Sequence, residues 1–277
     1  MNIVTGNSAL PSRQHSDLPG HELDVSKMPG HWVLARLGKR VLRPGGIELT
    51  RLMLSNLDIQ HNDDVVEFAP GLGVTARITL RSNPASYTAI ERDECAASKV
   101  SRYLAGSSQR CIVGTAEQTG LPSCCASVVY GEAILTMQTK EQKRRIVEEA
   151  ARLLKPGGRY AMHEICLIPD DIEDDVIAGI QKELAQAIRV GARPLRIAEW
   201  RALVESQGLS VTEEYARPFA LLEPSRLIRD EGLVGAIRFG LNVLRLKDAR
   251  RRVTKMRQTF RRLLPHLQAY ALIAQKG

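Results

Sequence analysis

The residues best able to do chemistry are two acids set around a glycine-containing turn. Val65-Val66-Glu67-Phe68-Ala69-Pro70-Gly71-Leu72-Gly73 is a β-rich run passing straight into that turn and then a helix. Glycine there lets the backbone bend sharply and come close to a ligand, because no Cβ intervenes. Glu67 stands just before the turn, and Glu91 follows Gly73 by 18 residues at the end of the next β-rich run. An acid about 20 residues beyond such a turn is placed to accept both hydroxyls of a ribose. Glu67 then discriminates between cofactors. A dinucleotide lays a pyrophosphate over the turn, where a carboxylate would repel it. S-adenosylmethionine brings an ammonium and a nearby sulfonium, which a carboxylate attracts.

Such a site needs a scaffold. The runs 64–69, 87–91, 111–113, 127–130 and 160–165 are short and β-rich, each separated from the next by a helical or loop segment. This alternation predicts a parallel sheet covered on both faces. Around it, apolar spacing predicts two helices over 31–57 with a break at Pro44, a helix from Thr139 to Leu154 stopped by Lys155-Pro156-Gly157-Gly158, and another over 172–188. Leu209–Tyr215 and Leu267–Gln275 would be a sixth and a seventh strand. The roughly fifty residues between them, far longer than the usual connection of about 4–6, carry two more helices and read as a cap over a substrate pocket. The expected fold is therefore α/β, doubly wound, with a mostly parallel seven-stranded sheet and helical cap insertions at about 172–193 and 224–264. Residues 1–30, with Pro11, Gly20, Pro29 and Gly30 and no sustained periodicity, read as a flexible N-terminal arm ahead of one domain spanning 31–277.

Four motifs in register over about Asp64–Ile165 make the chain resemble the class I S-adenosylmethionine-dependent methyltransferases, within them the small-molecule "methyltransferase type 11" group. They are VVEFAPGLG, the acidic end of AIERDE, Gly114-Thr-Ala-Glu-Gln-Thr-Gly-Leu-Pro122, and Leu153-Leu-Lys-Pro-Gly-Gly-Arg159. The resemblance implies a Rossmann-like methyltransferase fold with S-adenosyl-L-methionine held by Glu67, Ala69, Pro70, Gly71, Gly73, Glu91, Arg92, Thr115, Ala116 and Glu117. Two positions depart from the family pattern: Ala69, followed by Pro70, replaces its first glycine, and Thr115 its adenine-loop aspartate. The Ala116 backbone or Glu117 would take over that aspartate's role, and the stem or guanidinium plane of Arg92 would cover the adenine face.

Methyl transfer from a sulfonium is an in-line displacement that needs no metal, and a general base only where the acceptor must lose a proton. Candidates beyond the fourth and fifth strands are Tyr130, Glu132, His163 and Glu164. His163 reads equally well as a residue bonding a carbonyl at the sheet end. The segment Tyr130–Thr136 has no N-P-P-[YF]-like sequence, which the resemblance would imply for amino methylation of bases or glutamine.

Composition bounds the partners. Aromatic residues are 4%, too few for base-stacking platforms. The net charge is +8, and Arg245, Lys247, Arg250, Arg251, Arg252, Lys255, Arg257, Arg261 and Arg262 form a basic run. Val253, Met256, Phe260 and Leu263 form an apolar stripe along it, so a solvated helix face is the preferred reading, with an RNA or anionic-membrane partner beside it. Cys95, Cys111, Cys124, Cys125 and Cys166 include no C-x-x-C pair, and fit a reducing compartment; the vicinal Cys124-Cys125 read as small apolar residues rather than an arsenic-binding pair. No secretory signal is apparent and no run reaches the ~18 apolar residues of a membrane span, so a cytoplasmic protein is expected. The reading at this point is methylation of a small-molecule acceptor, with apolar compounds slightly preferred. The alternatives are an RNA-directed methyltransferase or RNA-binding protein, and a pseudo-enzyme that has lost its cofactor through Ala69-Pro70 and Thr115.

Overall fold

The computed structural model describes residues 18–20 and 22–277; residues 1–17 and 21, which hold much of the expected arm, lie outside the described residues. Five strands, β1 (Asp64–Phe68), β2 (Ser86–Glu91), β3 (Gln109–Val113), β4 (Ala126–Glu132) and β5 (Leu154–Leu167), pair in parallel. β7 (Leu209–Pro218) and β8 (Leu267–Lys276) extend the sheet antiparallel, giving the order β3-β2-β1-β4-β5-β8-β7. The two residues of β6 (Leu195–Arg196) pair with β5, so the sheet has eight strands rather than the seven expected. A two-residue strand carries no periodicity to read. The switch of chain direction between β1's two neighbours, β2 and β4, sets a crevice at the carboxyl ends, where ligands of open α/β sheets bind.

Alternation along the strands fills both faces. Val66 and Phe68 of β1 face Ile146 and Val147 of α5 (Lys140–Leu153) and Trp200 of α7 (Ile197–Glu205). Val65 turns to the other side with Leu49 and Met53 of α2 (Gly46–Leu57), Ala76 of α3 (Val74–Thr79) and Val100 of α4 (Glu94–Ser101). Helix α5 starts in a capping box between Thr139 and Gln142. It ends directly into β5 at Leu154, so Lys155–Gly158, read as the stop of the helix, also belongs to the strand.

A third apolar cluster lies over the carboxyl ends. It joins α1 (Gly30–Arg36), α6 (Asp174–Ile188), the second half of α8 (Pro224–Arg245) and α9 (Lys247–Leu263). Met28 is buried in this cluster, and Arg252 of α9 donates to the carbonyls of Val25 (2.8 Å), Ser26 (2.9 Å) and Met28 (3.2 Å). The part of the arm from Val25 to Met28 is thus packed rather than loose. Between α1 and α2, residues 37–45 form an extended strap. Its glycine break is required by sterics: at Gly46, with φ +60°, a Cβ would lie 2.2 Å from Asp230 Oδ1. Helix α8 is itself interrupted at Gly232 (φ 74°, ψ 169°). Just before that break, Asp230 accepts from Lys39 Nζ (2.9 Å) and Ile47 N (3.0 Å), and Glu231 accepts from Arg40 N (2.7 Å), Arg40 Nε (3.1 Å) and Val41 N (2.8 Å). These buried acids fasten the strap over the sheet.

Candidate active site

A cavity of about 650 Å³ opens at the carboxyl ends of β1, β2, β4 and β5, within the roughly 300–1,000 Å³ of small-molecule sites. One wall is the glycine turn with its neighbouring strand ends. Glu67, Ala69, Pro70, Gly71, Glu91, Arg92, Thr115, Ala116 and Glu117 all contribute to it. Gly73 does not: it caps α3 at φ 70°, and a Cβ there would lie 2.5 Å from the Tyr103 ring. What the structure gives it is a packing role against Tyr103. Ala69 takes φ 51° and the turn still closes, with Gly73 N donating to Pro70 O (2.9 Å). At Gly71 a Cβ would meet only Ala69 O, at 4.0 Å, so the backbone is open to an approaching ligand.

The two acids of this wall are held differently. Tyr87 and Tyr130 donate to Oε2 of Glu67 at 2.5 and 2.7 Å, and Oε1 has no hydrogen bond among the described residues. Burial pushes the Glu67 carboxyl up to about 7 against those two hydrogen bonds, with nearby Glu132 adding to the rise. Glu91 accepts from Asp93 N (2.9 Å) and Gly71 N (3.0 Å), which ties the second strand end to the turn; burial raises its carboxyl from the ordinary value, opposed by those amides.

The opposite wall centres on Glu132. Arg43 Nε lies 3.1 Å from Glu132 Oε2, Thr50 donates to Oε1 (2.6 Å), Thr75 donates to Oε2, and His163 Nδ1 lies 2.8 Å from Oε1. Burial would push this carboxyl up, but Arg43, His163 and Thr50 outweigh it and hold it down at about 2. Arg43 also donates from Nε to Thr50 (2.6 Å), while its buried Nη2 has no partner among the described residues.

Several of the expected catalytic groups are occupied or turned away. Tyr130 does not line the cavity; its hydroxyl sits between Glu67 and Thr79 Oγ1 (2.6 Å). His163 is off the wall as well. Its Nε2 meets Pro44 O at 2.5 Å and its Nδ1 meets Glu132, so both nitrogens are engaged by protein oxygens. A ring so engaged is not presented to an acceptor in the cavity. Glu164 reaches the wall but accepts from Ile134 N (2.9 Å), Leu135 N (2.6 Å), and Thr136 N (2.9 Å) and Oγ1 (2.7 Å), which makes it a clamp for the loop after β4. Of the four expected catalytic groups, Glu132 and the committed Glu164 line the wall, and Glu132 is ion-paired.

The cap is also rearranged. Leu184 and Ile188 of α6, Met256 and Phe260 of α9, and Phe219 and Leu221 of the intervening loop line the cavity. No residue of α8 does, so of the helices expected at 224–264 to close the pocket α9 alone reaches it. The apolar stripe of α9 is spent on this interior, and Arg252, Arg257, Arg261 and Arg262 contact protein partners. Cys124 and Cys125 lie outside the cavity wall.

Residues 66–162 match the methyltransferase domain family. An uncharacterized protein of Haemophilus influenzae is 29% identical over 251 residues, covering 89% of this chain and 98% of the relative. Among solved structures, a putative sarcosine dimethylglycine methyltransferase from Galdieria sulphuraria superposes with a TM-score of 0.60 at 15% identity, over 83% of this chain and 84% of the other. Phosphoethanolamine N-methyltransferase 2 of Haemonchus contortus, in complex with S-adenosyl-L-methionine, gives a TM-score of 0.69 at 10% identity, over 97% of this chain and 60% of the other. These likenesses share the fold; the wall described above belongs to this chain's own residues. The donor set fits the cofactor: an uncommitted carboxylate oxygen at Glu67, an orphaned guanidinium nitrogen at Arg43 and a turn with no Cβ at Gly71 are the complements of an ammonium, a carboxylate and a closely placed chain.

Sequence reasoning missed Arg43, Thr50, Thr75 and His31. His31 lies on the cavity wall, where burial, then Arg92, pushes its imidazole down to about 4. Position in the chain gave no sign of it. Arg43 had one signal: it begins the Arg43-Pro44-Gly45-Gly46 break, in a strap whose cations need acids if buried, and Asp230-Glu231 stand beside another glycine break.

Proposed function

We propose that this chain methylates a small, largely apolar acceptor, with the methionine end of the cofactor between Glu67 and Arg43 and the acceptor beneath α6 and α9. The observation that carries the reading is the Glu67 carboxylate: on the wall of a cavity of small-molecule size, one oxygen held by two tyrosines and the other without a partner among the described residues. In this reading Glu67 receives the ammonium, Arg43 Nη2 the carboxylate, Glu91 the ribose hydroxyls, and Thr115–Glu117 the adenine edge under the stem of Arg92. When bound, S-adenosylmethionine supplies a methyl group on a sulfonium that a nucleophile takes by in-line displacement.

The protein's own contribution is positioning and exclusion of water. Tyr130, His163 and Glu164 are committed to protein partners and Glu132 is ion-paired and held at about 2, so none of these four takes a proton from an acceptor near pH 7. His31, neutral at pH 7, orients a donor group there by accepting its hydrogen bond. The acceptor therefore arrives as a competent nucleophile or ionises to one unaided. Trp32, Leu34, Phe219 and Phe260 around it favour an apolar body.

Calorimetric titration with S-adenosylhomocysteine tests the cofactor half. Binding is expected, and Glu91→Ala, which removes hydrogen bonds from a charged group worth about 1.5–3 kcal/mol, should weaken it roughly 10- to 100-fold. Absence of binding to the wild-type chain would return the pseudo-enzyme reading. For the acceptor, fractionated small molecules incubated with S-adenosylmethionine and the chain should yield a product heavier by one methylene from an apolar fraction.

A further inference from the structure

The second half of α8 shows an apolar face that nothing in the chain covers. Leu233, Val234, Ile237, Leu241 and Leu244 are 62, 80, 54, 46 and 64% exposed. At 3.6 residues per turn they fall within an arc of about 100°. Another face of the same segment holds it down: Phe239 is buried, Val243 packs on the α1–α6–α9 cluster, and Asn242 Nδ2 donates to Leu37 O (3.0 Å). The exposed arc is therefore not a helix awaiting its place in the core.

Charge surrounds it asymmetrically. Arg238 and Arg245 lie along one flank of the arc, and Lys247, Arg250, Arg251 and Lys255 continue from it, all exposed. Only Arg251 approaches an acid, Asp248 at 4.0 Å; the other five have no ion-pair partner among the described residues. Between Leu233 and Leu263 stand ten basic residues and one acid. That surplus of nine exceeds the +8 of the whole chain, so all other residues together are net −1.

We propose that this face docks on an anionic phospholipid surface, with the leucines and isoleucine at the headgroup boundary and the arginines among the phosphates. An amphipathic helix with a cationic flank binds in this way, its long basic side chains reaching outward from apolar stems. No helix among the described residues is long and apolar enough to cross a membrane, so the attachment is peripheral. A second copy of the chain would cover the leucines but bring like-charged flanks together, and RNA would answer the arginines but leave the leucines in water. The inference stands on the surface alone and is independent of the cavity's chemistry.

Flotation of the full chain with vesicles tests it. Binding is expected to phosphatidylcholine containing about a third phosphatidylglycerol, not to phosphatidylcholine alone, and to fall steeply with added salt. Leu233→Glu with Ile237→Glu should abolish flotation with an unchanged melting temperature, because both side chains are exposed. Arg238→Gln and Arg245→Gln should each lower partitioning about fivefold. Val234→Trp gives a second readout that does not depend on the glutamate variant folding: its fluorescence should shift blue on anionic vesicles. Flotation that survives the double glutamate change, or no flotation of the wild type, overturns the proposal. So does a dimer in sedimentation velocity that the same change dissociates while vesicles have no effect, or RNA retention without vesicle binding.

Discussion

On the glycine-turn side of the cavity, Glu67, Glu91 and Thr115 each sit at or just past the end of a parallel strand, held by bonds to adjacent strand ends, as Gly71 N to Glu91 shows. On the strap side, Arg43 is brought to Glu132 by a segment fastened through Lys39 to Asp230 and Arg40 to Glu231, pairs 191 positions apart. The first wall is assembled by the sheet and is as rigid as the sheet. The second depends on buried ion pairs between α8 and the strap, and a buried pair that loses one member leaves an uncompensated charge. Damage to the strap wall should thus appear first as lost stability, and damage to the turn wall as lost ligand affinity.

The largest effect tests that division. Asp230→Ala leaves the fully buried Lys39 ammonium with Glu231 alone, at 4.0 Å, and should cost about 3 kcal/mol, seen as a lowered denaturation midpoint; an unchanged midpoint would break the comparison. Next is Glu132→Gln. The wild-type carboxyl is held at about 2 against 4.5 unfolded, so its contribution is present above pH 4.5 and lost as pH falls toward 2. That amounts to something on the order of 3 kcal/mol, and the variant should lose this acid-dependent part of its pH profile.

Glu67 gives a third effect of opposite sign on the turn wall. Its folded value of about 7 lies above 4.5, so the protonated form contributes stability that is full below pH 4.5 and lost as pH rises through 7. Glu67→Gln should melt above wild type at pH 8 and converge with it near pH 4. In calorimetry, wild-type affinity for S-adenosylhomocysteine should rise from pH 6 to 8 as Glu67 ionises to meet the ammonium, and the variant should lack that rise. A slope that persists in the variant would remove Glu67 from the site. The smallest effect is at Ala69: with φ 51°, Ala69→Gly relieves left-handed strain of about 1 kcal/mol and should raise the midpoint without weakening cofactor binding.

The turn wall was legible because each residue type stands beside the strand that carries it. Parallel strands all end on one side, so naming the strand ends names the wall; Gly73 was the exception, since a glycine serving a turn and one serving a helix–ring contact look alike. The strap wall was not legible. His163 on β5 offered a plausible base, and only the positions of Pro44 O and Glu132 showed both nitrogens committed. Helices α8 and α9 were both expected in the cap, yet α9 buries its stripe and α8 exposes its own.

The order of residues alone determined the alternating strands, the glycine turn and the acid at the end of each of the first two strands, because period, turn chemistry and strand direction are local properties. The three-dimensional packing decided which polar groups remain free to meet a ligand, and which apolar stripe remains exposed. Those depend on partners brought from distant parts of the chain, and no spacing within a segment encodes whether its hydrogen bonds or its apolar face are already taken.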